Sequence, residues 1–240
     1  MAEIKRIPKS AKKWTANDLL AFNIHVLDED APTFFGIPNL PASTADPEFL
    51  DNETGPPNSQ NRETSTLFGS LNTALEGTLK PPEAFVEGLL WNLLFFDVWE
   101  GGEGGTGYIS IVGEYGRDFL ADVLKESSTV DSEPGLIAEA IAAFFECQDN
   151  HRRFGNAVPS HREIPGIILR GTAPTFYRIP VTDGLIRSIG GATYPNQPTT
   201  VHRLIPVEDV PRYFREGMKT LENRRVVMQC FEAFKGCLPC

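Results

Sequence analysis

Ser132-Glu133-Pro134-Gly135-Leu136-Ile137-Ala138-Glu139-Ala140-Ile141-Ala142-Ala143-Phe144-Phe145-Glu146 reads as one helix lying on a sheet. Ser132 stands where an N-cap belongs, and Pro134 falls in the first turn, where a missing N–H removes no helix hydrogen bond. Glu133 sets negative charge at the positive end of the helix dipole. Ile137, Ile141 and Phe144 recur at helical spacing with Leu136 and Ala140 beside them, while Glu139 and Glu146 lie opposite. Four alanines in this short span allow another backbone to come close.

The sheet beneath it is read from the segments on either side. Residues 164–170 and 176–181 carry strand composition, and Gly171-Thr172-Ala173-Pro174 between them is a turn, so the pair reads as a hairpin. Residues 119–124 and 108–112 are two further strands upstream of the helix. Downstream, 183–189 reads as a short helix stopped by Gly190-Gly191, 199–207 as a strand, and 210–235 as one or two helices. At the N-terminus, residues 1–13 read as a loose basic arm. Residues 14–26, with Thr15 or Asn17 as cap, read as a short helix running into an extended segment. Phe34-Phe35-Gly36-Ile37-Pro38 and Leu40-Pro41 read as a segment laid across the surface, and residues 42–62 as a flexible loop. Residues 64–75 form a helix, and Pro81-Pro82 opens another over 83–99 whose apolar positions cover nearly its whole circumference, so it is expected to be buried on most sides. The expected architecture is a single α/β domain over 1–240, a mixed central sheet flanked by helices. Strands 108–112, 119–124 and the hairpin should share one sheet beneath helix 133–146.

Composition narrows the function. The chain has 240 residues, 41% hydrophobic and 22% charged, with 22 basic against 32 acidic side chains and a net charge of −10. Proteins that grip phosphate backbones draw affinity from counterion release and carry basic faces, so nucleic acid is a disfavoured partner. The longest apolar run, 88–98, is broken by Asn92 and Asp97 and is too short to span a bilayer, so no membrane is expected. The first residues lack the apolar centre of a signal peptide, and four cysteines without one read as reduced thiols in a cytoplasmic protein.

Chemical motifs are sparse. Five glycines over 101–107 follow a helix and lack the lysine and Ser/Thr of a phosphate loop, so they read as a connector. His25, His151, His161 and His202 are scattered without ligand spacing. Cys237-Leu238-Pro239-Cys240 lacks the second pair a zinc site needs, and Pro239 departs from a prenylation box. Arg152-Arg153 suits the negative end of the preceding helix.

Several segments together resemble a family. Trp14-Thr15-Ala16-Asn17-Asp18-Leu19-Leu20-Ala21-Phe22-Asn23-Ile24, Phe34-Phe35-Gly36, the Ala138-Glu139-Ala140-Ile141-Ala142-Ala143-Phe144 helix and Gly171-Thr172-Ala173-Pro174-Thr175-Phe176-Tyr177 are similar to a group of basidiomycete (mushroom) proteins of mostly uncharacterised role. Gly217-Met218, Asn223-Arg224 and Phe231-Glu232-Ala233-Phe234-Lys235 extend the likeness to the C-terminus. The resemblance implies a PD-(D/E)XK nuclease-like (restriction-endonuclease-like) core, in which an Asp on one strand and Glu-x-Lys on the next gather Mg²⁺ at a phosphodiester. Here Ala121-Asp122-Val123 resembles the Asp-bearing strand, whereas Lys125-Glu126 has the residue types in the wrong order and Gly135 stands where the family has Gln. The implied active site is eroded, and no residue is assigned a catalytic or metal-binding role.

Sixteen Phe and three Trp remain to be explained. Trp91, Phe95, Phe96 and Trp99 lie on one predicted helix, with Phe144-Phe145 and Phe176-Tyr177 on elements that face it. One reading is an aromatic core. The other is a pocket for a flat apolar ligand, lined by Trp91, Phe95, Phe144 and Tyr177. The resulting expectation is a non-catalytic cytosolic binding protein on a degenerate nuclease-like fold, taking a small aromatic molecule or pigment as its chromophore-like ligand. The alternatives are a Mg²⁺-dependent nuclease or phosphodiesterase, and a self-associating structural or storage protein. A homodimer is compatible with the sequence, and no cofactor is specified by it.

Overall fold

Ile164-Pro165-Gly166-Ile167-Ile168-Leu169 is buried at every position, as befits a strand covered on both faces. The computed structural model describes residues 9–55, 61–76, 120–124 and 132–237. Along the chain lie a 3₁₀ turn Ala11–Lys13, then α1 Ala16–Ala21, β1 Ile24–Asp28, α2 Ala31–Phe35, α3 Pro47–Asp51 and α4 Arg62–Glu76. Next come β2 Leu120–Leu124, α5 Glu133–Arg153, β3 His161–Arg170, β4 Ala173–Thr182, α6 Asp183–Gly190 and β5 Thr199–Leu204. The chain closes with α7 Val210–Glu216, a second 3₁₀ turn Gly217–Lys219, and α8 Leu221–Lys235.

The five strands among the described residues form one mixed sheet in the order β1-β5-β4-β3-β2. β1 is parallel to β5 and β2 to β3, while β4 is antiparallel to both of its neighbours. Four strands therefore run the same way and end on one edge of the sheet, at Asp28, Leu124, Arg170 and Leu204. Between β2 and β3 stands α5, the helix that two adjacent parallel strands require to connect. The β3–β4 hairpin is tight, Arg170 pairing with Ala173, and Gly171 takes φ 59° at the first turn position, where glycine carries no Cβ penalty.

Alternation along the strands divides the core into two layers. On one face, Leu136, Ile137, Ala140, Ile141 and Phe144 of α5 pack with Ile164, Ile168, Tyr177, Ile179 and Val201. On the other, Val227, Met228, Phe231 and Phe234 of α8 pack with Ile167, Leu169, Phe176 and Leu204, helped by Phe34, Phe49 and Phe68. The expected sheet under helix 133–146 is thus present for the 119–124 strand and the hairpin. Strand 108–112 and helix 83–99 lie outside the described residues, and among those described no helix is long and apolar enough to cross a membrane.

Four local expectations are corrected. The segment around Phe34 is not a surface strap but helix α2, capped by Asp30, which accepts from the Thr33 N–H at 2.9 Å, and closed by Gly36 at φ 67°. It turns Phe34 wholly inward, edge-on to Phe35 at 5.0 Å. The 42–62 stretch contains α3, capped by Asp46 and burying Phe49 completely. Its Pro47 opens the helix instead of breaking it, because a first-turn proline costs no hydrogen bond. The N-terminal arm is docked from residue 9 onward: Lys9 Nζ lies 2.7 Å from Asp18 Oδ1, and the Ala11–Lys13 turn contacts α5. Ser132 is also not the side-chain cap expected; its backbone is helical, at φ −85° and ψ −12°, and its hydroxyl makes no capping bond.

Candidate functional site

Beyond the carboxyl ends of β3 and β5, where α5 begins, the sheet opens into a cleft of about 260 Å³. Its floor comes from register. Thr175 pairs with Ile168 and Tyr177 with Arg203, so four side chains from three strands share the face that α5 covers. Ser132 and Glu133 enter from the first turn of α5, Arg170 from the end of β3, and Ile205 and Phe214 from the far side. In open α/β sheets this edge is where ligands bind, because strand ends and helix starts leave side chains and N–H groups convergent but unpaired.

A charged chain runs along one wall. Tyr177 Oη donates to Glu133 Oε2 at 3.0 Å, and Arg203 Nη1 donates to the same oxygen at 2.8 Å. Arg203 also forks onto Asp28 through Nε at 2.6 Å and Nη2 at 2.9 Å. Arg203 therefore joins the end of β1 to the start of α5. The hydrogen bond from Arg203 holds the Asp28 carboxyl below the usual carboxylate range, and the same bond raises the guanidinium. Burial, then the neighbouring Glu133 charge, pushes the Tyr177 phenol well above its ordinary value, so it is a neutral donor at physiological pH.

Arg170 differs. Its guanidinium lies over the Phe214 ring, 4.7 Å from the centroid, and among the described residues no carboxylate pairs with it. Thr175 and Ser132, both at least nine-tenths buried, present hydroxyls to the same space. Among the described residues the cleft walls thus hold two cations, one anion that is already engaged, three hydroxyls of which that of Tyr177 is given to Glu133, and the apolar sides of Ile168, Ile205 and Phe214.

Two other grooves are larger and chemically plainer. One of about 540 Å³ lies toward the amino ends of β5 and α6, and Arg187, its single charged lining residue among those described, is paired with Asp183 at 2.7 Å. The other, about 350 Å³, is bordered by Glu208, Asp209 and Glu222; there Asp209 caps α7 and Arg212 pairs with Glu216 at 2.8 Å. Among the described residues no group of three or more His, Cys, Asp or Glu side chains is placed to hold a metal. Asp122 lies mid-strand in β2, in register with Ile168.

Of the four aromatic residues expected to line a ligand pocket, Trp91 and Phe95 lie outside the described residues. Phe144 is 1% exposed in the core between α5 and the sheet and does not reach the cleft. Tyr177 belongs to that same core cluster but also lines the cleft, its hydroxyl meeting Glu133. The structure adds Arg170, Thr175, Arg203 and Phe214, which no motif singled out. Their only sequence signal is position: Arg170 and Arg203 stand at the carboxyl ends of strands, Thr175 near the start of β4 and Phe214 in the last turn of α7. The chain matches no protein family, and neither a curated protein nor a solved structure matches it.

Proposed function

We propose that this is a small-molecule-binding protein whose site is the cleft at the start of α5, and that its ligand is a flat aromatic compound. The observation that carries the reading is Arg170, stacked on Phe214 at a strand's carboxyl end with no carboxylate partner among the described residues. A cation and a ring held side by side, facing apolar walls and convergent hydroxyls, are the ordinary furniture of a ligand pocket. A planar ligand would slide against Phe214, Ile205 and the Tyr177 edge, with aromatic contacts adding about 0.5–1.5 kcal/mol per pair beyond burial. On this reading the nuclease-like resemblance concerns the scaffold, and the acidic chain as a whole repels the long polyanions a nuclease must hold.

Native protein should release a compound absorbing above the ultraviolet band of the protein itself, identifiable by mass spectrometry after denaturation. Ile205→Trp fills the cleft from a half-buried position and should abolish its retention. Undiminished retention in that variant would place the ligand elsewhere and sink the reading. Mg²⁺-dependent cleavage of DNA or RNA that disappears in Asp122→Ala would install the nuclease in its place.

A further inference from the structure

We propose that the polar end of the ligand is an oxyanion, a carboxylate or a phosphate, held between Arg170, Thr175 and Ser132 at the start of α5. This rests on the binding reading above and names the chemistry that the site selects. Thr175 is 5% exposed and Ser132 8%, and both line the cleft. Neither hydroxyl meets a hydrogen-bonding partner among the described residues, and neither oxygen is sealed away as Thr64 Oγ1 is. Buried polar groups in folded proteins nearly always have partners, so two unengaged hydroxyls facing one cavity indicate an acceptor from outside.

Charge selects the kind of acceptor. Glu133 already receives Arg203 and Tyr177, and Arg203 is shared with Asp28, so their charges are largely spent on one another. Arg170 is left over. It offsets the excess of Glu133 and Asp28 over Arg203, and it is the cation of the cleft wall that no carboxylate among the described residues engages. The first turn of α5 adds N–H groups with no intrahelical acceptor, at the positive end of a 21-residue helix. Guanidinium, hydroxyls and helix start are all donors, and each is matched by oxygens carrying negative charge. Phe214, beneath Arg170, places the ligand's ring directly behind its anionic group.

The test uses three probes that share one ring: benzoate, phenyl phosphate and neutral benzyl alcohol, titrated calorimetrically into the full chain. At least one anion should bind about tenfold more tightly than the alcohol, and the tighter one tells carboxylate from phosphate. Arg170→Met should cut anion affinity about tenfold while leaving the alcohol within about twofold. The isosteric Thr175→Val should weaken the anion about threefold or more, and it guards against misfolding in the arginine variant. Benzyl alcohol binding as tightly as both anions, or Arg170→Met and Thr175→Val without effect, overturns the oxyanion and leaves the pocket standing. If none of the three probes binds, both readings fall.

Discussion

Arg224 is fully buried, and among the described residues its guanidinium donates only to main-chain carbonyls: Met218 at 3.1 Å, Phe49 at 3.0 Å, Asn52 at 2.6 Å, Glu53 at 3.0 Å and Lys219 at 3.3 Å. Phe49 and Phe68 flank it, with ring centroids 5.0 and 5.4 Å away. Those carbonyls are the loose ends of α3 and of the Gly217–Lys219 turn, so one side chain closes two elements onto α8. Arg224→Leu should cost at least about 3 kcal/mol in urea unfolding, because it strands several buried acceptors at once. Arg224→Lys should recover only part of that, an ammonium being unable to fork. A loss below about 1 kcal/mol for the leucine variant would show that water or rearrangement replaces it. Asp18 is a second anchor. Burial pushes its carboxyl up, but hydrogen bonds from Lys9 and Thr15 outweigh that and hold it below its ordinary 3.8. A depressed carboxylate stabilises above its unfolded value and loses that contribution as pH falls through the lower, folded one. Asp18→Asn should therefore be less stable by about 0.5–2 kcal/mol at neutral pH. The difference should close as the pH drops below 3.8, and a gap that persists there would refute the ionic account.

The turn Gly217–Lys219 shows why one glycine is irreplaceable while another is not. Gly217 has φ 51°, and a Cβ there would sit 2.2 Å from Thr172 Oγ1 and 2.9 Å from the Thr172 carbonyl carbon. That closeness is the docking itself, since Thr172 Oγ1 accepts from the Met218 N–H at 3.1 Å and the Gly217 carbonyl accepts from Asn223 Nδ2 at 2.9 Å. Gly155 has φ 70° but nothing within 4 Å of its missing Cβ. Gly155→Ala should cost about 1 kcal/mol of backbone strain, and Gly217→Ala should exceed it by at least about 1 kcal/mol of collision. Equal thermal shifts for the two would mean that Thr172 moves aside freely. Helix α5 is the opposite case, its buried face legible from the sequence stripe: Ile137, Ile141 and Phe144 are buried as the spacing demanded and Phe145 is 54% exposed, although the helix runs on to Arg153, past the expected 146. Short capped helices were not legible. The Phe34 segment read as a surface strap and 42–62 as a loop, because whether a proline stops a helix or opens one, as Pro32 and Pro47 do, depends on the cap and on what Phe34 and Phe49 can bury.

Across the molecule, the sheet is covered on both sides, with β4 at its centre and β1 at an edge. Amide hydrogen exchange should be slowest in β3 and β4, paired over ten residues, and fastest among strands in the five-residue β1. Fast exchange in β4 would contradict a sheet built around it. Cys230, 0% exposed with its thiol pushed up to about 12 by burial, should resist alkylation at neutral pH until the protein unfolds. What this sequence determined by itself was local and periodic: the helix from Glu133, the hairpin about Gly171 and the apolar run of β3. These features arise from spacing and turn chemistry, which neighbours along the chain decide. The cleft was decided only by tertiary structure. Tyr177 and Glu133 are 44 residues apart, and Arg203 and Glu133 are 70 apart. They meet because β4 pairs with β5 in one register and α5 starts above that edge, and a one-residue slip would send each strand side chain to the opposite face. No local pattern records that register, since it is set by how two apolar faces find cover at once.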